Sequence, residues 1–285
     1  MGVEITQLAP ADFPPLLREI PSAPKQLYVR GTLPSTDLIW LTVVGSRACT
    51  SYGERALKYL IDGLRGYPVV IVSGLAYGID ALAHKAALDA GLPTVAVPGS
   101  GLDWDVLYPR AHVGLAREIL ARGGALLSEF NPNMKATDYS FPQRNRIMAG
   151  LCQATLMIEA KEKSGSLITA KFTAEYNRDL LVVPGSIFSA ESKGTHQFLK
   201  LGATPITSVE DLLQALGLAP REPRTILRTD ITDDERTILE ILASPLSRDE
   251  LLDNLDLPVS EANILLSMME IKGLIAEELG VVRVR

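Results

Sequence analysis

The stretch Leu38-Ile-Trp-Leu-Thr-Val-Val44, followed at once by Gly45-Ser-Arg47, decides the fold class of this chain. Apart from Thr42 the first stretch is a continuous apolar run, which is typical of a strand buried on both faces of a parallel sheet. A helical pattern from Gly53 to Leu64 follows the turn. The stretch therefore predicts a β-strand, a turn at its carboxyl end and a helix.

The same order of strand, turn and helix repeats as far as residue 216. This alternation predicts an α/β fold, a doubly wound and mostly parallel sheet with helices on both faces. Small and polar residues follow the strands, where such sheets bind ligands. Further strands are expected at 27–30, 69–72, 94–97, 125–128, 154–158 and 180–183, and further helices at 79–90, 113–122, 166–177, 194–201 and 208–216.

Composition along the chain predicts four segments. Residues 1–37 form an arm packed on the core, residues 38–217 the core domain, and residues 218–228 a linker that contains Pro220 and Pro223. Residues 229–285 show three helical stretches and a hairpin, the pattern of a winged helix. Its helices are expected at 232–242, 248–255 and 260–272, and its hairpin strands at 274–277 and 281–284.

The charge of the chain is unevenly distributed. The net charge of −6 over 285 residues argues against a simple basic nucleic-acid binder. From Thr225 onward there are 6 basic and 13 acidic residues, which leaves 22 basic and 21 acidic residues before that point. The main domain is therefore close to neutral and has room for a local basic groove.

Several protein classes are disfavoured by composition. No run of about 18 uncharged apolar residues predicts a membrane span, and the first 20 residues lack the pattern of a signal peptide. Two cysteines, Cys49 and Cys152, form neither a disulfide framework nor a metal cluster. We therefore expect a cytoplasmic protein that has no membrane partner, no cofactor and no metal site.

Two predicted helix starts suggest an anion site. In Phe141-Pro-Gln-Arg-Asn-Arg-Ile-Met-Ala-Gly150, Arg144 and Arg146 flank Asn145, and a later helix begins at Ser164-Gly-Ser166. Helix N-termini attract anions through free N–H groups and the helix dipole. Because residues two apart on a helix point in different directions, one arginine is expected to hold a phosphate while the other pairs with Glu159 or Asp138. Two ordinary surface arginines are the alternative.

Other loops at the same edge of the sheet add candidate groups. Gly45 permits close backbone approach, and Ser46 and Arg47 can bond a phosphate, although an ordinary strand–helix turn explains them equally well. Lys163 adds positive charge, and Thr169 is expected to face the same site. Phe141 is either a hydrophobic anchor or a platform for a base.

Two carboxylate motifs have mainly structural interpretations. Asp80 is expected to cap its helix, and His84 lies one turn later, so an Asp80–His84 hydrogen bond that orients the ring is plausible. Asp103 and Asp105 can bind a cation but are more often turn formers. The Gly-x-Gly-x-x-Gly fingerprint is missing after the first buried strand, which argues against a nicotinamide dehydrogenase.

Five motifs in order resemble the DprA/Smf family of DNA-processing proteins, over about residues 40–216. They are Val-Val-Gly-Ser-Arg (43–47), Ser-Gly-Leu-Ala-Tyr-Gly-Ile-Asp-Ala-Leu-Ala-His (73–84), Phe-Pro-Gln-Arg-Asn-Arg-Ile-Met-Ala-Gly-Leu (141–151), Ser-Gly-Ser-Leu-Ile-Thr-Ala (164–170) and Val-Pro-Gly-Ser (183–186). The resemblance implies an extended Rossmann-like core that binds single-stranded DNA, protects incoming strands during natural transformation and helps to load the RecA recombinase. It also implies a homodimer and no enzymatic activity, so no catalytic residue is predicted.

The matching motifs assign the site residues. The resemblance implies that the DNA backbone contacts Ser46, Arg47, Ser73, Gly74, Arg144, Asn145, Arg146, Ser164, Gly165, Ser166 and Thr169, with Phe141 near a base. Gly45 and Lys163 are added to this set from their own residue types, as given above. It places dimer contacts loosely between His196 and Ile206, including Leu199. The acidic tail favours a packing or partner-binding module over duplex binding through its third helix.

A nucleotide-processing enzyme is the rival interpretation. The implied fold is similar to that of the LOG phosphoribohydrolases, which carry a Pro-Gly-Gly-x-Gly-Thr loop followed by a glutamate. The nearest strings here are Pro184-Gly-Ser-Ile187 and Gly194-Thr-His196, without that arrangement. Release of a base from nucleoside monophosphates would support this alternative.

Overall fold

A computed structural model describes residues 4–220, 231–242, 246–255, 257–278 and 280–284 of the chain. These residues fall into two compact units, Met1–Pro220 and Arg221–Arg285. Most of the predicted linker, residues 221–228, lies outside the described residues, as does Leu279 in the predicted hairpin turn. No helix within the described ranges is long and apolar enough to cross a membrane.

The first unit is built around a nine-stranded sheet. The strand order is β1-β2-β6-β5-β4-β3-β7-β8-β9, in which β1 and β2 are antiparallel to their neighbours and all other pairs are parallel. The strands are β1 Ile5–Leu8, β2 Leu27–Gly31, β3 Ile39–Val44, β4 Val69–Ser73, β5 Thr94–Ala96, β6 Ala125–Ser128, β7 Ala154–Met157, β8 Asp179–Val182 and β9 Thr204–Pro205. The helices are α1 Pro15–Arg18, α2 Ser51–Gly63, α3 Ile79–Asp89, α4 Val113–Ala121, α5 Ser140–Leu151, α6 Ser166–Glu175, α7 Lys193–Lys200 and α8 Val209–Ala215.

Strand β3 shows why the sheet is covered on both faces. Trp40 and Val44 belong to one hydrophobic cluster, whereas Leu41 and Val43 belong to another. Alternate residues of a strand point to opposite faces, so the apolar run fills two cores at once. The predicted doubly wound α/β fold is confirmed.

The chain direction across the sheet reverses beside β3. From β3 the chain winds outward through β4, β5 and β6, and it then returns to place β7 on the other side of β3. In such sheets the loops that leave the two central strands diverge, which opens a crevice at the strand carboxyl ends. The loop after β3 and the loop after β7 therefore face each other across that crevice.

The N-terminal segment extends the sheet. Strand β2 pairs with β6, and β1, which the sequence pattern missed, pairs with β2. Leu17 of α1 is fully buried, and Gly150 of α5 lets it approach, since a Cβ on that glycine would lie 3.1 Å from the Leu17 side chain. The arm is thus part of the same packed layer system.

The second unit has the winged-helix arrangement predicted from the sequence. Its elements are α9 Asp233–Ile241, β10 Leu246–Ser247, α10 Arg248–Asp253, α11 Val259–Ile271, β11 Ile275–Glu278 and β12 Val281–Val284. The hairpin of β11 and β12 is joined by the short strand β10, which the sequence did not reveal. Ile238, Leu251, Leu266, Met269 and Val282 are buried at its centre.

Candidate functional site

A cleft of about 670 Å³ opens at the carboxyl ends of β3 and β7. It lies where the reversal of the strand order predicts a ligand site. Its walls are the loop after β3, the start of α5 and the segment from Lys161 to the first turn of α6. Eleven of the predicted site residues line it: Gly45, Ser46, Arg47, Phe141, Arg144, Asn145, Lys163, Ser164, Gly165, Ser166 and Thr169. We name this cleft the central cleft.

The loop after β3 presents one exposed arginine to the central cleft. The Ser46 hydroxyl accepts a hydrogen bond from the Ala48 N–H at 3.2 Å, which fixes the turn. Arg47 is exposed, and its guanidinium carbon lies 5.4 Å from the Phe141 ring centroid. Among the described residues no carboxylate lies within ion-pair distance of Arg47. Its charge is therefore available to an anion.

Gly45 has a different role from the one predicted. A Cβ at this position would lie 2.6 Å from the Ile79 side chain, so the missing side chain lets α3 pack against the strand end. The residue still lines the central cleft, but its glycine identity is explained by helix packing rather than by ligand approach.

Arg144 forms the floor of the central cleft and is buried. Its Nη1 donates to the Val97 carbonyl oxygen, and its guanidinium lies flat against Gly74, where a Cβ would clash with it. Burial lowers the pKa of Arg144 to about 10, which leaves it charged at neutral pH, and nearby Asp80 opposes the decrease. Burial likewise raises the pKa of Asp80, against the effect of Arg144. A cation is thus fixed beneath the cleft.

Arg146 faces away from the central cleft. It forms an ion pair with Glu129, and its Nη1 donates to the Ser22 carbonyl oxygen at 2.5 Å. The expectation that the second arginine pairs with Glu159 or Asp138 is therefore wrong. Glu159 instead accepts from the Thr50 N–H and hydroxyl at 2.8 and 2.7 Å. Arg146 ties α5 to the N-terminal segment.

The N-terminus of α6 forms the wall opposite Arg47. The Asn145 side-chain amide donates to the Gly165 carbonyl oxygen at 3.2 Å, which holds this turn against α5. The Ser164 and Ser166 hydroxyls are 2.7 Å apart. Thr169 is almost fully buried, and its hydroxyl has no partner within the described chain. An unpaired buried hydroxyl costs free energy unless a ligand satisfies it, so this wall is suited to an anion.

Two lysines lie on the loop before α6. Lys161 pairs with Glu191 at 3.1 Å, whereas Lys163 is exposed and has no ion pair within the part of the chain that the structure describes. Both residues line the central cleft. The unpaired cations Arg47 and Lys163 therefore lie on two walls of the same cleft, with Arg144 beneath.

Ser73 and Gly74 are placed behind the central cleft. The buried Ser73 hydroxyl donates to the Val43 carbonyl oxygen at 2.7 Å, so it joins β4 to β3. Gly74 gives Arg144 its space, as described above, and donates its N–H to Asp80 at 3.1 Å. Both residues support the site from below.

The expected Asp80–His84 hydrogen bond does not form. The Asp80 carboxylate accepts from the Gly74 and Ala76 N–H groups, which fixes the loop before α3. The Nδ1 of His84 lies 2.8 Å from the Thr94 hydroxyl. Because the ring is completely buried, the pKa of His84 falls from 6.5 to about 3 and the ring is neutral. The structural interpretation of this motif is therefore the better one.

Aromatic residues flank the central cleft on one side. Phe141 packs beside Gly99, and its ring centroid lies 5.5 Å from that of Tyr108. No sequence motif had pointed to Tyr108. The proximity of Tyr108 to Phe141 depends on how two distant loops pack, which no spacing in the sequence reveals.

The predicted dimer residues differ in exposure. His196 and Leu199 are half-buried, and the His196 Nε2 lies 3.0 Å from the Gly185 carbonyl oxygen. Ile206 is buried in the core, so its side chain is not presented to a second subunit in this structure. The segment does expose Leu201 at the end of α7.

The acidic turn after β5 shows no ligand geometry. Asp103 interacts electrostatically with Arg30, whose guanidinium carbon lies 4.3 Å from the Trp104 ring centroid. Within the described ranges no group of three histidine, cysteine or carboxylate side chains is arranged to hold a metal ion.

Comparison with known proteins gives two family matches. The sequence model of the family described as DNA recombination-mediator protein A matches residues 4–217, and that of the DprA winged helix domain matches residues 223–280. Protein Smf of Escherichia coli is 42% identical over 212 residues, which cover 73% of this chain and 56% of that protein. DNA processing protein DprA of Streptococcus pneumoniae is 43% identical over 201 residues, 70% of each chain. The chain thus spans little more than half the length of the E. coli relative.

Two solved structures share this fold. The crystal structure of DprA from S. pneumoniae has a TM-score of 0.67 and 40% identity, over 74% of each chain. DNA processing protein A of Helicobacter pylori, a structure that addresses its single-stranded DNA binding mode, has a TM-score of 0.65 and 28% identity. That match covers 76% of this chain and 98% of the other.

Proposed function

The chain belongs to the DNA recombination-mediator protein A family, and on that premise we propose that its central cleft binds the phosphate backbone of single-stranded DNA. One observation carries this proposal. Arg47 and Lys163, both exposed and without carboxylate partners in the described ranges, line one cleft together with the N-terminus of α6, Arg47 on the loop after β3 and Lys163 on the loop before α6. A relative whose structure addresses single-stranded DNA binding supports the choice of ligand.

The groups in the central cleft suit a phosphate diester. Phosphate oxygens accept charge-assisted hydrogen bonds from arginine and lysine, and helix N-termini add a positive dipole end. The Thr169 hydroxyl would gain the partner that it lacks in the described chain. Binding to the backbone alone is tolerant of sequence and sensitive to salt. The cleft is therefore a site for any strand rather than for one sequence.

The test is a binding titration with fluorescently labelled oligo-dT and a duplex of equal length. Arg47→Ala is expected to weaken oligo-dT binding by about 1–3 kcal/mol, roughly 5- to 150-fold, since it removes one charge-assisted contact. The slope of log K against log salt should fall by roughly 0.7, the value for one phosphate on a single strand.

Arg55→Ala is the matched control for this titration. Arg55 is an exposed arginine on α2 that does not line the central cleft. Wild-type affinity of the Arg47→Ala variant, or an equal loss in the control, would remove Arg47 from the site.

The biological role that we propose is recombination mediation in the cytoplasm, without catalysis. The protein would cover incoming single strands during natural transformation and help to load RecA on them, a finer role than recombination mediation, which is all that the family description names. Nuclease protection of a bound strand and the rate of RecA filament assembly on that strand are the measurements. If a variant whose central cleft no longer binds single-stranded DNA still increased the rate of RecA filament assembly, this role would be contradicted.

We also propose that the protein acts as a homodimer. Phe188 is 93% exposed in the loop after β8, next to exposed Ile187, and the contact of His196 with Gly185 joins this loop to α7, whose end exposes Leu201. Exposed apolar side chains such as the neighbouring Ile187 and Phe188 favour association. The molar mass measured by light scattering should be twice that of the chain and should decrease in Phe188→Ser.

The phosphoribohydrolase alternative has less support. The family is described by recombination rather than by nucleotide hydrolysis, and the residues around Pro184 lack the expected Pro-Gly-Gly-x-Gly-Thr string. Released base after incubation with nucleoside monophosphates would restore this alternative.

A further inference from the structure

A second cleft adjoins the central cleft, and we name it the aromatic cleft. Its own space is only about 10 Å³, room for about one water molecule, so a larger ligand reaches only its exposed rim. Tyr77, Tyr108 and Pro109 line it together with Gly74 and Ala76. It shares Arg47, Phe141 and Arg144 with the central cleft, so the two are continuous. Its lining residues include two arginines and no carboxylate.

Two tyrosines leave much of their surface uncovered at this cleft. Tyr77 is 45% exposed and Tyr108 is 42% exposed. Within the described ranges neither phenol hydroxyl has a hydrogen-bond partner. The rings contact other rings at an angle, since Tyr108 lies 5.5 Å from Phe141 with planes at 56°, and Tyr77 lies 4.9 Å from His112 with planes at 60°. Such rings offer stacking surface and a polar tip to a ligand.

The backbone that carries these tyrosines is held firmly. The Asp80 carboxylate accepts the Ala76 N–H, and the His112 Nδ1 lies 2.7 Å from the Leu75 carbonyl oxygen. Leu75 has a φ of 59°, a left-handed conformation that is costly for a residue other than glycine, and its side chain is fully buried. The Tyr108 N–H donates to the Ser100 hydroxyl at 3.2 Å. A backbone fixed in this way loses little entropy when a ligand stacks on the rings that it carries.

We propose that the exposed rim of the aromatic cleft is a base-binding subsite, where the uncovered faces of Tyr108 and Tyr77 stack, outside the crevice, bases of the strand whose phosphate lies in the central cleft. This inference rests on the proposed function, because continuity with the central cleft identifies the occupant as the next part of the same strand. Stacking on aromatic rings is tolerant of sequence, since every base has a π-face. The two arginines and the missing carboxylate suit a polyanion that passes along the cleft.

The test compares oligo-dT with an abasic oligonucleotide of equal length and charge. Wild-type protein is expected to bind oligo-dT more tightly than the abasic strand, because only oligo-dT offers bases to stack. Tyr108→Ala should weaken oligo-dT binding by about 5- to 150-fold, the range for loss of one stacked base. It should leave abasic binding and the salt slope unchanged. Tyr108→Phe, which keeps the ring, should retain the preference for oligo-dT.

Tyr59→Ala is the matched control, because Tyr59 is a 55% exposed tyrosine on α2 that lines neither cleft. Tyr77→Ala provides a second test at another exposed position. Equal wild-type affinity for oligo-dT and abasic strands overturns the base subsite while the phosphate site stands. If neither Tyr108→Ala nor Tyr77→Ala weakens binding to either strand, the base subsite is overturned as well. Failure of wild-type protein to bind either strand overturns both proposals.

Discussion

The central cleft and helix α11 occupy positions where their folds commonly hold nucleic acid, the carboxyl edge of a parallel sheet and the third helix of a winged helix. They differ in the state of their cations. In the central cleft, Arg47 and Lys163 have no carboxylate partners within the described chain. Beside α11, Arg248 pairs with Glu270 and Glu277, at 3.5 and 2.6 Å.

By this comparison the proposed anion site is located by unpaired cations rather than by net charge. Lys272, just after α11, is likewise bonded to Glu235 at 2.7 Å. The helix exposes Ile264, Met268 and Ile271 instead of free cations. A chain with a net charge of −6 can therefore bind DNA through one unit while its acidic unit does not. We expect α11 to contribute no duplex binding.

The largest expected effect comes from reversing charge in the central cleft. Arg47→Glu combined with Lys163→Glu should weaken oligo-dT binding by at least about 4 kcal/mol, roughly a thousandfold, because two attractive contacts become repulsive. Fluorescence anisotropy at a fixed salt concentration measures the change.

Arg55→Glu combined with Lys171→Glu is the matched control for this reversal. Both residues are exposed on α2 and α6, line neither cleft, and carry the same change in net charge. Affinity within about threefold of wild type is expected, because neither side chain lines the cleft and salt screens exposed charges. An equal loss in the control would mean that total charge, not the cleft, governs binding.

The two units are also expected to differ in how their stability depends on acidic pH, because they bury different titratable groups. The folded core keeps His84 neutral down to about pH 3, whereas an unfolded chain protonates it below about 6.5. His84 should therefore lower the free energy of unfolding of the core by about 1.4 kcal/mol per pH unit as pH drops below 6.5, whereas Asp80 and Glu129, whose pKa values burial raises, contribute in the opposite direction. In the C-terminal unit, the hydrogen bond from Lys272 lowers the pKa of Glu235, so that contribution is present above 4.5 and is lost as pH falls through the folded value.

Urea unfolding at several pH values, followed by tryptophan fluorescence, reports on the core, since both tryptophans, Trp40 and Trp104, lie there. His84→Gln should flatten the dependence between pH 6.5 and 4.5, and Glu235→Gln should leave it unchanged. An equal pH dependence of the wild-type and His84→Gln proteins over this window would contradict the buried neutral imidazole.

The sequence predicted the buried strands well and the peripheral strands poorly. Residues 69–72 were expected to form a strand, and β4 runs from Val69 to Ser73, because a run buried on both faces is apolar throughout. Strand β1 consists of Ile5-Thr-Gln-Leu8, in which no residue is fully buried. This strand forms because its backbone pairs with β2, and such pairing cannot be recognised from the residue types of a four-residue stretch.

The sequence also identified most of the central cleft but not how each residue acts. Loops at helix starts can be recognised by their residue types, so Arg47 and Ser164 could be predicted as site residues from the sequence. The partner of Arg146 was not found, because Glu129 approaches it from another loop only in the folded chain. Gly45 was assigned to the ligand for the same reason, since Ile79 fills its space only after α3 packs.

The smallest expected effect tests whether ion pairs of Arg248 prevent the C-terminal unit from binding DNA. Glu270→Gln combined with Glu277→Gln would free Arg248, whose side chain is about one-third exposed. In the Arg47→Glu background, which removes the central cleft from the measurement, duplex binding should rise by no more than about fivefold, because one exposed cation contributes within about 1 kcal/mol. The free energy of unfolding should change by less than about 1 kcal/mol. A hundredfold gain would show that α11 can bind duplex DNA and that two carboxylates inhibit this binding. The C-terminal unit would then differ from the central cleft by inhibition of a binding surface rather than by lack of one.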